Sequence, residues 1–316
     1  MTNKLVVDGV KDYPGEQLSQ DEKSSIMRVK EDKSREKSGI GGLCIDGNKI
    51  YYSCCEKYTN KPDELYTIHI CKPDGELMIL GGFKHIRGIA KYGKNFYVVD
   101  SLNRRVLKFD SKWNPVSRTS RRSTKNGLVL SEPYGIYING EYVFVCARRS
   151  KKICIFDHEL NLRYSIKHHH LESGPIDITF FDGKFFVTIK SAIIVLEIDF
   201  ERKTYKICKK SGILMDNKPE PFNAGLELRG IAASDKYLYV TETGGRLLCL
   251  WYHPTNYQLV YTDSIPQCSP VVVVYDAGCV YYSRRKNKKG RFAISRVVHD
   301  SSMNKMTYED IPNLGL

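Results

Sequence analysis

The sequence predicts an all-β fold, a six-bladed β-propeller of four-stranded antiparallel sheets. Three observations predict it: a strand pattern recurring roughly every 42 to 53 residues, a composition suited to half-buried strands, and turn residues between the apolar runs. The chain has 316 residues, 41% of them apolar, with 21 Tyr and 12 Phe. Aromatic and β-branched side chains pack well on a pleated surface, and a chain of this length can bury a sizeable core.

The clearest copy of the pattern is the second: Arg87-Gly88-Ile89-Ala90, then Asn95-Phe96-Tyr97-Val98-Val99-Asp100-Ser101, then Asn103-Arg104-Arg105-Val106-Leu107-Lys108-Phe109-Asp110. The first has Gly42-Leu43-Cys44-Ile45, Lys49-Ile50-Tyr51-Tyr52-Ser53 and Leu65-Tyr66-Thr67-Ile68. The third opens on Pro133-Tyr134-Gly135-Ile136, the fourth on Pro175-Ile176-Asp177-Ile178, the fifth on Leu228-Arg229-Gly230-Ile231 and the sixth on Pro270-Val271-Val272-Val273. Each unit leaves room for a fourth strand. One such sheet cannot bury both faces alone, and six stacked radially can. A two-sheet sandwich gives no reason for one pattern to recur six times.

Residues 1–38 read as a polar lead segment with eight basic and eight acidic residues, poorly ordered or adding one strand near residues 26–29; residues 39–316 carry the propeller. The start of the chain lacks the basic-then-apolar pattern of a secretory signal, and no apolar run is long enough to span a membrane. A cytoplasmic or nuclear protein is the expectation, with a monomer as the default. Of the ten cysteines, Cys44, Cys71, Cys146, Cys154, Cys249 and Cys279 fall in strand-like runs, and none forms a CxxC pair. Free core thiols are expected, and no cofactor.

Copy two resembles the repeat of NHL propellers, as in the C-terminal domains of TRIM-NHL proteins. In that repeat a Gly-Ile-Ala start is followed by Tyr-Val-x-Asp and then by Asn-x-Arg. Copies three and five match in part. Copies four and six depart from it: Asp177 stands where Gly is usual, and a basic insertion follows Ser283. The resemblance implies the fold and, since some NHL domains bind single-stranded RNA on one face, it implies RNA as a partner. No RING or B-box cluster precedes the repeats.

The chain holds 49 Lys and Arg against 36 Asp and Glu, a net charge of +13. Such an excess favours an anionic partner. In a propeller the loops joining strands two and three emerge at the same end as those joining successive blades. That end gathers Arg87, Arg104, Arg105, Arg148, Arg149, Lys151, Arg229, Arg246, Arg284, Arg285 and Lys286, with Phe83, His85, Tyr134 and Phe222 among them. Asp46, Asp110, Asp157, Asp182 and Asp276 lie at the other end.

Flat side chains beside cations are what single-stranded RNA requires. The leading expectation is therefore a non-catalytic binding scaffold for single-stranded RNA, with an acidic protein partner as the alternative and a hydrolase or lyase third. Calcium would need several converging carboxylates, and the channel offers one Asp among arginines. His168-His169-His170 reads as a surface loop, because adjacent residues of extended chain point to alternating sides.

Overall fold

The computed structural model describes residues 2–5, 14–29, 35–37, 39–58, 64–72, 77–120, 123–124, 127–128, 130–211, 213–215, 218–220, 227–266, 270–285, 292–300 and 305–312. Six antiparallel blades follow one another in chain order. Blade 1 comprises Leu43–Asp46, Lys49–Tyr58, Glu64–Cys71 and Leu77–Phe83; blade 2, Ile86–Tyr92, Asn95–Asp100, Arg105–Phe109 and Pro115–Arg118; blade 3, Pro133–Asn139, Tyr142–Ala147, Lys152–Phe156 and Leu162–Lys167. Blade 4 comprises Asp177–Phe181, Lys184–Ile189, Ala192–Asp199 and Thr204–Ser211; blade 5, Leu228–Ala233, Leu238–Glu242, Leu247–His253 and Gln258–Ile265; blade 6, Val273–Asp276, Cys279–Arg285, Phe292–Asp300 and Lys305–Asp310. The first strand of each blade touches the first strand of the next, and that of blade 6 touches that of blade 1, so the ring closes.

Both faces of each blade are apolar, and the period of two explains how. Along Tyr142–Ala147 of blade 3, Phe144 and Cys146 pack toward blade 4 against Phe185 and Val187, while Val143, Val145 and Ala147 pack toward blade 2 against Val99 and Val106. The last gap is filled in the same way: Leu43, Ile45 and Tyr52 of blade 1 meet Ile294, Val272 and Val274. Each blade keeps all four of its strands in sequence, so this contact is made by side chains and not by a shared sheet.

Turns between the third and fourth strands repeat a device. Asp110 Oδ1 accepts the backbone N–H groups of Lys112 and Asn114, and Asp157 Oδ1 accepts those of Glu159 and Asn161. The residue before each Asn is left-handed, Trp113 at φ +65° and Leu160 at φ +64°. Several acidic residues at that end are thus turn-formers.

Described parts of the lead segment run along the outer edges of the blades. Asn3–Lys4 pairs with the last strand of blade 4, Glu16–Gln17 with that of blade 2 and Arg28–Val29 with that of blade 1, while the Gly15 N–H donates to Asn161 Oδ1 of blade 3 at 2.8 Å. A helix, Gln20–Ser25, starts at a capping box formed by Ser19 and Glu22. Glu16 and Glu22 grip Arg118 at 2.7 and 3.0 Å.

Among the described residues the most enclosed ion pair joins Asp100 and Arg105 at 3.0 Å, with 0% and 4% of their side chains exposed. Asp100 also accepts the Lys84 N–H at 3.0 Å and the Asn103 amide at 2.7 Å. Replacing Asp100 with Ala leaves the buried Arg105 cation with Glu22 at 3.8 Å and without its close partner, and is expected to lower stability by about 3–5 kcal/mol. Arg104→Ala, at an exposed neighbour, is expected to stay within about 0.5 kcal/mol. Chemical denaturation of the two variants checks both values.

Candidate functional site: an arginine cluster at the mouth of the channel

First strands of successive blades approach closely where they enter the channel. A Cβ on Gly135 would lie 2.1 Å from Asp177 Oδ1, and one on Gly88 would lie 3.0 Å from the Tyr134 carbonyl oxygen. Glycine is required there by contact with the next blade. Asp177 replaces the usual glycine in blade 4, its carboxyl lying over Gly135 and bridging to blade 5. Oδ1 accepts the Ile178 N–H at 2.9 Å and Oδ2 the Ile231 N–H at 3.1 Å.

Hydroxyls of the second strands complete this lattice. Ser53 accepts the N–H groups of Gly41 and Gly42; Thr188 accepts from Asp177 and donates to the Arg229 carbonyl at 2.7 Å. Thr241 accepts from Gly230 and donates to the Val271 carbonyl at 3.1 Å, and Ser283 accepts from Val272. Sequence reasoning missed these residues, although the Tyr-Tyr-Ser and Tyr-Val-Thr ends of the copies signalled them.

Above this ring Arg87 and Arg229, from the starts of first strands, and Arg148, from the end of the second strand of blade 3, converge on the ring of buried Tyr134. Their guanidinium carbons lie 4.6, 5.1 and 5.8 Å from its centroid, and Arg148 donates to its hydroxyl at 3.1 Å. The electron-rich face of the phenol attracts all three cations. Glu227 reaches Arg229 at 3.2 Å and Arg148 at 3.6 Å. Arg87 has no hydrogen-bond or ion-pair partner among the described residues, and the Nε groups of Arg87 and Arg229 are buried without an acceptor. Burial, reinforced by the charge of Arg229, pushes the Arg87 guanidinium below its ordinary value. Among the described residues one carboxylate, Glu227, forms ion pairs within this cluster of three cations, and Glu132 adds a weaker attraction at Arg87, an arrangement that a bound anion would stabilise.

Below the arginines a cavity of about 410 Å3 follows the axis between the first strands, down to Lys91 and Asp276. Lys91 pairs with Asp46 at 3.0 Å near that far end. A second cavity of about 290 Å3 opens beside Arg87, His85, Tyr66 and Ser53.

The residues singled out from sequence separate into groups. Arg87, Tyr134, Arg148 and Arg229 come together at the mouth, and His85 stands at its edge with its ring 4.8 Å from that of Tyr66. Arg104 and Arg149 are exposed on the rim, and Lys151 pairs with Glu172 at 2.6 Å. Three arginines serve the blades themselves: Arg105 on Asp100, Arg246 on buried Glu242 at 3.1 Å, and Arg284 on Asp310 at 2.6 Å. Phe83 is buried against Phe109 and offers no open ring. Phe222 and Lys286 lie outside the described residues, as does the side chain of Arg285. Among the described residues no helix is long and apolar enough to cross a membrane.

No family model matches the sequence, and no curated protein matches it. Among solved structures the chain is similar to a streptogramin B lyase, at 13% identity over 90% of this chain and 87% of that one, with a TM-score of 0.60. It is similar to the periplasmic gluconolactonase PpgL of Pseudomonas aeruginosa, at 14% identity over 87% and 84%, TM-score 0.55. It is also similar to the WD40 repeats of RRP9, at 9% identity over 94% and 86%, TM-score 0.55. At such identities the likeness establishes the propeller fold, which enzymes and WD40-repeat proteins share. The NHL assignment suggested by copy two finds no support beyond that fold.

Burial raises the Asp177 carboxyl from 3.8 to about 7, against the pull of its two backbone N–H donors. A carboxyl raised on folding favours the folded state most when protonated, so its contribution is full in acid and is lost as pH climbs toward 7. The stability difference between the protein and Asp177→Ala is expected to fall between about pH 4 and 7 and then level off. Denaturation at a series of pH values reads this directly, and a pH-independent difference would contradict it.

Proposed function

We propose that this protein is a non-catalytic binding scaffold that takes an acidic segment of a protein partner at the channel mouth, with Arg87, Arg148 and Arg229 clasping its carboxylates. The observation that carries this reading is the three-guanidinium cluster with a single ion-paired carboxylate among the described residues, in which Arg87 has no hydrogen-bond or ion-pair partner. Guanidinium forks match carboxylates in two-point hydrogen bonds. Exposed Arg104, Arg149, Lys190 and Lys210 add a field that draws anions to the same face.

A second reading, single-stranded RNA, rests on the same cations and on His85. It is less favoured because bases need open rings to stack on. Phe83 is enclosed, and Tyr134 is buried with arginines against it. A catalytic reading would draw on Asp177, whose carboxyl lines the axial cavity, but both its oxygens are tied to backbone N–H groups. The lyase and lactonase likeness supports no more than the shared fold.

Binding of a fluorescent Glu-rich peptide and of a mixed-sequence RNA oligonucleotide, each over a series of salt concentrations, tests the proposal. The peptide is expected to bind and to weaken with salt, and Arg87→Ala to reduce its affinity by about tenfold or more, since charge-assisted hydrogen bonds contribute about 1.5–3 kcal/mol. Tight RNA binding without peptide binding would replace this reading with the second one. Failure of both ligands, or an unchanged Arg87→Ala, would overturn it.

A further inference from the structure

The connection from blade 3 to blade 4 carries His168, His169 and His170 in a surface loop, as the sequence suggests, but its backbone is not extended. His169–Leu171 is a 3-10 turn, capped by His168, whose Nδ1 accepts the His170 N–H at 3.1 Å. The tight turn gathers side chains that extended backbone would separate. Ring centroids of His168 and His169 lie 4.1 Å apart, those of His169 and His170 4.0 Å, and those of His168 and His170 4.9 Å. One nitrogen from each ring lies within 4.8 Å of the other two.

The turn is anchored on both sides. The Leu171 side chain is fully buried in the core between blades 3 and 4, its N–H donates to the His168 carbonyl at 2.8 Å, and the Gly174 N–H donates to the Leu171 carbonyl at 2.8 Å. Gly174, at φ +83°, lies so close to Arg148 that a Cβ would stand 2.6 Å from its carbonyl oxygen. On the blade 4 side the Tyr205 ring meets His168 edge-on at 6.3 Å, and its hydroxyl donates to the Lys167 carbonyl at 2.9 Å. The imidazoles therefore project from a base that packing holds still.

We propose that His168, His169 and His170 form a binding site for a divalent transition-metal ion, of the imidazole-preferring class that includes Zn2+, on the connection between the last strand of blade 3 and the first strand of blade 4. Three ring nitrogens at about 2.0–2.1 Å would leave a fourth position for water. Around such an ion the nitrogens stand about 3.4 Å apart, so side-chain rotation must draw them together by roughly an ångström. For His168 to ligate through Nε2, the ring proton moves from Nε2 to Nδ1 and the His170 N–H turns to solvent, a small loss in an exposed turn. Lys210 stands by His170 and opposes a cation, while Glu172 stands by His169 and favours one, with its charge shared by Lys151 at 2.6 Å and by nearby Lys167.

The test is a Zn2+ titration of the metal-free full chain in competition with a chromogenic chelator, with Co2+ absorption as a second readout. One ion per chain is expected, and the His169→Ala, His170→Ala double variant is expected to weaken binding by about tenfold or more, as loss of ligating groups does. Its thermal melt without metal should match that of the unaltered chain, which keeps a folding defect from being mistaken for lost ligands. No binding by the unaltered chain overturns the proposal. Equal binding by the double variant also overturns it and assigns the ion to other groups.

Discussion

Every feature of this molecule depends on one packing constraint: a four-stranded sheet that is apolar on both faces must be covered twice. In blade 3 the consecutive residues Val143, Phe144, Val145, Cys146 and Ala147 are all fully buried, and they alternate between two separate cores. No two-layer arrangement satisfies such a strand. A closed ring does so for every blade, and the Leu43 and Ile45 cluster facing Val272 and Val274 shows that the ring ends on the same kind of contact with which it began.

Closure concentrates the first strands around an axis, and the functional candidates follow from that crowding. Where neighbouring strands come closest, glycine or a small hydroxyl-bearing partner is required, as at Gly88, Gly135, Thr188 and Thr241. Residues one step further out have room for long side chains, and there Arg87, Tyr134 and Arg229 meet across three blades. Arg148 joins them from the end of the second strand of blade 3 and hydrogen-bonds the Tyr134 hydroxyl. The cluster holds because one phenol ring and one carboxylate, Glu227, offset part of the repulsion among three guanidinium groups.

The basic excess therefore has two uses that a count of charges merges. Arg105, Arg246 and Arg284 hold loops and strands by pairing with Asp100, Glu242 and Asp310 inside their own blades. Arg87, Arg148 and Arg229 come together across blades at the axis. On the opposite end, Asp110 and Asp157 are engaged by backbone N–H groups of their own turns. Acidity there is partly the chemistry of tight turns, which makes the axial arginines the more specific electrostatic feature.

By itself the sequence determined the number of blades, their order and the ends at which loops emerge, because a periodic alternation of apolar residues is a local property and repeats wherever the unit repeats. It also placed Arg87, Tyr134 and Arg229 at corresponding starts of first strands. Only the tertiary structure decided which arginines meet a carboxylate, since Asp100 lies five positions from Arg105 and Asp310 twenty-six from Arg284. It likewise decided that Phe83 and Tyr134 are covered and that three consecutive histidines share one side of a turn. Burial and ion pairing depend on distances between blades, and those are set by how all six close around the axis.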